Sequence, residues 1–281
     1  MTGVLPGDPK LCCAQLYESD AVRRLLDDQL HPGGERLTLR LAELAGVAPG
    51  ERILDVACGS GATAVLLARE LHCDVVGVDL GARAIDEATH AAGGAQFEGR
   101  ASFVLGDAEA LPLADAGFDV ALSECSLCTF PDKPRALAEM ARVVRPGGRI
   151  AIADVTADLD ALPAPLRSAA ARVACVADAR SAGEYGALLR DAGCEPFAIE
   201  PHDAALRAMA DRVEARLRVA RMVAPPGEQR ERAREAAELA RLAIAAIERG
   251  SLGYALIVSR RTRGAGSGGA ARTGPSRPRP G

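Results

Sequence analysis

No stretch of the chain is apolar enough over sufficient length to cross a bilayer, and the N-terminus lacks the charged, apolar and small-residue succession of a leader peptide. Neither membrane insertion nor secretion is expected, and the expected location is cytoplasmic. An excess of basic charge is missing too. Lys and Arg number 34 against 38 Asp and Glu, a formal net charge of -4, which leaves no electrostatic footprint for nucleic acid or an anionic membrane. The expected partner is a small molecule. Histidine is scarce, and His31, His72, His90 and His202 are scattered, so no acid–base pair is visible. Cys125 and Cys128 form one C-x-x-C, but no second pair and no H-x-x-x-H follows, so structural zinc is not expected.

What is present is a chain of 281 residues with 48% apolar content, enough for a sizeable core in one large domain, or in one domain with an appendage. Arg52 to Val56 read as a short buried strand, Ala57 to Gly61 as a tight small-residue turn, and Ala62 to Leu71 as a helix. Gly59 and Gly61 lack a Cβ, so the backbone can turn sharply and approach a ligand, and the first helical amides are unsatisfied donors. After a further helix and strand comes Asp79, about where an acidic ribose ligand stands in dinucleotide-type folds. Strands near 52–57, 75–79, 101–105, 118–123, 149–154 and 196–200 alternate with helices, a rhythm that implies a parallel sheet with right-handed crossovers. Two long helical stretches, 203–223 and 228–249, precede a last apolar run, Leu252 to Ser259.

Five motifs in order, D-V-A-C-G-S-G at 55–61, V-G-V-D-L at 76–80, G-D-A-E-A-L-P at 106–112, F-D-V-A-L-S at 118–123 and R-V-V-R-P-G-G-R at 142–149, resemble those of class I S-adenosylmethionine-dependent methyltransferases. The resemblance covers residues 37–200. It implies an α/β, Rossmann-like, seven-stranded sheet with helices on both faces, a final antiparallel strand and, here, a C-terminal helical insert. The organisation expected is an N-terminal lid segment (1–36), an S-adenosylmethionine-binding core (37–201), the insert (202–250), the final strand (251–260) and a disordered tail (261–281). The insert is expected either to cap the substrate pocket or to pair with a second copy as a homodimer. The resemblance also assigns cofactor residues. Asp79 with Leu80 would take the ribose, the turn of Ala57, Gly59 and Gly61 the methionyl moiety, and Asp107 with Ala108 or Glu109 the adenine. Asp55 would order the turn, and Ser123 would lie at the end of the fourth strand. Many members carry Gly where Ala57 stands.

Eight cysteines in a cytosolic α/β chain point to packing, soft-metal binding or catalysis rather than disulfides. Cys58 and Cys73 are expected to be buried packing residues. S-E-C-S-L-C-T-F-P-D-K at 123–133 and the stretch from Ala174 to Cys194 together resemble arsenite methyltransferases. That resemblance implies that Cys125 and Cys175 bind the metalloid, with Cys12 or Cys13 as a third thiol. The family usually has Asn where Glu124 stands. Thiolates suit a trivalent metalloid whose lone pair stays free, and no strong general base is then needed. Two other readings remain open: methylation of a small organic acceptor at carbon, oxygen or nitrogen, and sequestration of a metalloid by a thiol-rich binding protein without turnover.

Overall fold

The computed structural model describes residues 25–26, 31–93, 99–168 and 176–263. Its centre is a seven-stranded sheet of order β3-β2-β1-β4-β5-β7-β6. The strands are β1 (Arg52–Val56), β2 (Asp74–Asp79), β3 (Arg100–Leu105), β4 (Phe118–Glu124), β5 (Val144–Ala157), β6 (Cys194–Pro201) and β7 (Leu252–Arg261). β1 to β5 pair in parallel, and β7 runs antiparallel to both β5 and β6. The helices are α1 (Gly34–Leu44), α2 (Ala62–Leu71), α3 (Ala82–Gly93), α4 (Lys133–Val143), α5 (Ala182–Asp191), α6 (Asp203–Val223) and α7 (Glu228–Glu248).

The central strands carry apolar residues at nearly every position, as strands covered on both faces must. Ile53, Val75, Val120, Leu122, Ala153 and Tyr254 bury one face beneath α1, α2 and the α6–α7 pair. Leu54, Val78, Ala121, Ile150, Ile152 and Ala255 bury the other beneath α4 and α5. α5 begins with a reciprocal cap between Ser181 and Glu184, which satisfies two amide donors at its N-terminus.

Several boundaries differ from the sequence expectation. α1 starts at Gly34, inside the segment assigned to the lid, because Gly33 adopts φ 80° and packs against Leu37 closely enough that a Cβ would fall 2.3 Å from its Cγ. β5 is counted from Val144 rather than from near 149, with Arg145 to Gly148 as a bulge opposite Phe118 to Val120 directly after the end of α4. β7 extends through Arg261, whose guanidinium bonds the Val144 carbonyl, so the ordered core passes the expected start of the tail. Residues 264–281 lie outside the described residues, as does the expected lid except for residues 31–36 and, before them, Leu25 and Leu26. That short piece is helical and is tied to α6, where Arg216 Nη1 donates to the Leu25 carbonyl at 2.7 Å.

Candidate cofactor and acceptor site

Side chains alternate between the faces of a strand, and the registers Asp55↔Gly77 and Asp55↔Leu122 put Asp55 on the face covered by α1 and α2. The same alternation puts Asp79 and Glu124 there. Three carboxylates thus stand at the carboxyl ends of adjacent strands β2, β1 and β4, where open α/β sheets bind ligands.

The turn between β1 and α2 is held from below. Ala57, Gly59 and Gly61 take φ of 60°, 53° and 81°. The Cys58 amide donates to the Val78 carbonyl, and the Gly59 amide donates to Asp79 Oδ2 at 2.8 Å. Asp79 Oδ1 accepts from the Gly81 amide, also at 2.8 Å. Asp79 therefore orders the turn, the task expected of Asp55. A Cβ on Gly61 would meet the Phe103 ring at 2.7 Å and Ala88 Cβ at 2.8 Å, so glycine is needed there for space as well as for φ. At Ala57 a non-glycine residue occupies the left-handed region, a conformation that costs about 1–2 kcal/mol.

Asp55 itself is 2% exposed, and its Oδ2 has no hydrogen-bond partner among the described residues. Burial, then the charges of Glu124 and Asp79, push its carboxyl well above the usual carboxylate range. Glu124 accepts from Thr38 Oγ1 of α1 at 3.1 Å and from Thr63 Oγ1 of α2 at 2.7 Å, and His31 Nε2 stands 3.9 Å from its Oε2. The α2 N-terminus has no side-chain cap. An uncapped helix start next to the carboxylates of Asp79 and Glu124 fits the methionyl half of S-adenosylmethionine, which has a carboxylate, an ammonium and a sulfonium.

On the adenine side, Asp107 Oδ1 accepts the Glu109 amide at 2.8 Å, which shapes the loop after β3. Glu109 is buried and accepts the Asp132 amide, while its carbonyl accepts Arg135 Nε. Glu109 ties this loop to the start of α4, and Ala108 packs against the core beneath it. Leu80 is half-buried beside Asp79. Ser123 is fully buried, its hydroxyl 2.5 Å from that of Ser126, so it braces the end of β4 from inside.

Cys125 follows β4 directly, half-buried, with φ 51° and its amide donating to the Ala153 carbonyl at 2.7 Å. A cysteine has no intrinsic preference for that conformation, and such strained positions concentrate at functional sites. Cys128 is buried one turn on, its amide bound to Asp154 Oδ2. Tyr254 reaches the same region from β7, its hydroxyl buried without a partner among the described residues. Its phenol is pushed well above the ordinary range by burial and by Cys125, Glu124, Asp154 and Cys128. Cys175, Cys12 and Cys13 lie outside the described residues, so Cys125 is the one expected metalloid ligand placed at this end of the sheet among them. Burial pushes the Cys58 thiol up strongly, and the Cys73 and Cys194 thiols up to about 11 each, as befits packing residues.

The residues that sequence reasoning missed are Glu124, Thr38, Thr63 and His31. Thr38 and Glu124 lie 86 positions apart, and His31 looked isolated. An available signal was a threonine inside the apolar stripe of α1, a polar residue placed where only a buried partner explains it.

A family model described as a methyltransferase domain matches residues 48–193. Methyltransferase GfsG of Streptomyces halstedii is 41% identical over 128 residues, 46% of this chain and 46% of that protein. The 27-O-demethylrifamycin SV methyltransferase of Amycolatopsis mediterranei (strain S699) is 36% identical over 193 residues, 66% of this chain and 70% of that protein. An arsenite methyltransferase of Halobacterium salinarum is 34% identical over 169 residues, 59% and 43% of the two chains. The chain thus spans about half the length of two of these three relatives. Among solved structures, the [4+2]-cyclase SpnF aligns over 94% of this chain and 100% of its own, with TM-score 0.73 at 23% identity, a likeness of fold alone. The ordered motifs, the strand order with its antiparallel β7, and the family match over residues 48–193 agree, and the chain belongs to the class I S-adenosylmethionine-dependent methyltransferases.

Proposed function

We propose that the chain methylates a small acceptor seated against Cys125, and that this acceptor is trivalent arsenic or a related thiophilic metalloid. The observation that carries this reading is the position of Cys125, a half-buried thiol held in a left-handed conformation directly after β4, with its amide bound to the Ala153 carbonyl. A soft sulfur there suits a soft centre, and the similarity to an arsenite methyltransferase supports it. Cys175, with Cys12 or Cys13, would complete the thiol set. When bound, S-adenosylmethionine supplies an electrophilic methyl group on its sulfonium. The work left to this chain is to hold the acceptor by its thiols, orient it toward that methyl and keep water out.

A second reading, O-methylation of an organic hydroxyl, is favoured by the approach of His31 to Glu124 at 3.9 Å, a pairing able to accept a hydroxyl proton at the same end of the sheet. Its support also includes the rifamycin relative.

The deciding experiment incubates the protein with S-adenosylmethionine, a thiol reductant and arsenite, and measures methylated arsenic. Product from wild type, with Cys125→Ser and Cys175→Ser each losing at least about 100-fold while cofactor affinity is retained, is the expected outcome. A wild type that binds the cofactor yet leaves arsenite unmethylated removes the metalloid reading in favour of the hydroxyl one. Arsenite binding without turnover would instead point to sequestration.

A further inference from the structure

Tyr254 is fully buried, and its hydroxyl has no hydrogen-bond partner among the described residues. Burying an unpaired hydroxyl is unfavourable, and a phenylalanine would fill the same space without that cost. The strand registers place the ring. Glu124 of β4 pairs with Ala153 of β5, and Val155, two residues further along β5, pairs with Tyr254 of β7. Residues of a strand advance by about 3.3 Å each, so Tyr254 stands about 6.6 Å past the last paired residue of β4, level with the point where Cys125 leaves the sheet. It packs on the face covered by α1, α2 and the α6–α7 pair, as Cys125 and Cys128 do. The ionisable groups that act on its hydroxyl are Cys125, Glu124, Asp154 and Cys128, none of them a cation, so the phenol keeps its proton and can donate it.

A buried O–H donor beside a half-buried thiol is matched by an acceptor molecule that brings an oxygen to that place. We propose that the Tyr254 hydroxyl binds the acceptor, donating a hydrogen bond to a hydroxyl group that stays on the metalloid. This rests on the metalloid reading and narrows it. Arsenous acid carries three hydroxyls on trivalent arsenic. Cys125 and one further thiol each form an arsenic–sulfur bond as an arsenic–oxygen bond breaks, and each thiol proton leaves with the displaced hydroxyl as water. The third hydroxyl remains where a third sulfur would otherwise bind, arsenic stays trivalent, and its lone pair is kept. Two sulfurs and an oxygen held by Tyr254 then fix the direction of that lone pair, which is what attack on a methyl group in line requires.

The test uses the full chain kept reduced by a phosphine, which does not compete for arsenic as a thiol would. Arsenic X-ray absorption of the wild-type complex with arsenite should show two sulfur neighbours and one oxygen; three sulfurs would overturn the proposal and leave the metalloid reading standing. Tyr254→Phe should weaken arsenite binding by about 3- to 10-fold, the loss of one hydrogen bond, with S-adenosylmethionine affinity unchanged. The Tm of the arsenite-free variant should equal or exceed that of wild type, because the change removes an unpaired hydroxyl from the core. Unchanged arsenite affinity overturns the proposal, and so does a lower Tm or a variant that does not fold, either of which would mark the hydroxyl as structural. A wild type that binds S-adenosylmethionine and not arsenite overturns both the proposal and the metalloid reading beneath it.

Discussion

Asp55, next to last in β1, has one carboxylate oxygen unpaired among the described residues, in surroundings that disfavour its charge. Its folded-state pKa is raised above the unfolded value of 3.8, so between those two values the folded chain holds the proton more tightly. Stability from this group is full below pH 3.8 and is lost as pH rises through the raised folded value. Without cofactor, wild type should therefore become more stable than Asp55→Asn as pH falls from 7 toward 4, by about 1.4 kcal/mol for each pH unit inside the window. Urea unfolding of both proteins at several pH values in that range measures it, and parallel curves would contradict the burial of a charge-bearing Asp55. The turn beside it was legible from small residues alone. The cost at Asp55 was not, because it depends on carboxylates from β2 and β4 that only the sheet brings close.

At the scale of elements, the C-terminal end of α1 is tied to the base of β5 by an arginine, while Thr38 and Arg40 bond Glu124 of β4 and Glu200 of β6. Arg149 is 7% exposed and donates to the Ala45 carbonyl at 2.9 Å, to the Gly46 carbonyl at 3.0 Å and to Glu51 Oε1 at 2.9 Å. It thus ties the C-terminus of α1 and the entry to β1 into the sheet, and through α1 it positions Thr38 under Glu124. Arg149→Ala leaves Glu51 and two carbonyls without their donor, and breaking a buried pair in this way should cost about 3 kcal/mol. Thermal or urea unfolding measures that loss, and a change below about 0.5 kcal/mol would show that Arg149 is not needed to hold α1 on the sheet. The sequence marks this arginine as the last residue of a family motif, and nothing in that pattern says that it meets the end of α1.

Across the whole molecule, the carboxylates of Asp79, Asp55 and Glu124 gather at the carboxyl ends of adjacent strands, the end of the sheet assigned to the cofactor. A ligand that binds only the folded chain stabilises it by about 2.7 kcal/mol at a hundredfold excess over Kd. For a domain of this size that corresponds to a rise in Tm of about 5–10 °C. Differential scanning fluorimetry with S-adenosylmethionine checks it, and no shift at saturating ligand would contradict the proposed fit. The α6–α7 pair rests on the core through Leu206, Leu239, Leu242 and Ile247, while Val219, Met222 and Val223 stand exposed at its far end.

The sequence by itself determined the alternation of strands and helices, the glycine turn, the acidic residue ending β2 and membership of the methyltransferase fold, because each rests on spacing within a few residues or on the order of short motifs. It also determined that Cys125 would follow β4 directly. Only the tertiary structure decided that Asp79 rather than Asp55 holds the turn, that Glu109 and Ser123 brace loops from within, and that Thr38, Thr63 and His31 converge on Glu124. Those outcomes depend on which strands become neighbours in the order β2-β1-β4 and on which helix covers which face. A hydrogen bond between residues 86 positions apart leaves no periodicity in the chain; it exists because the fold buries a charge and must find donors for it.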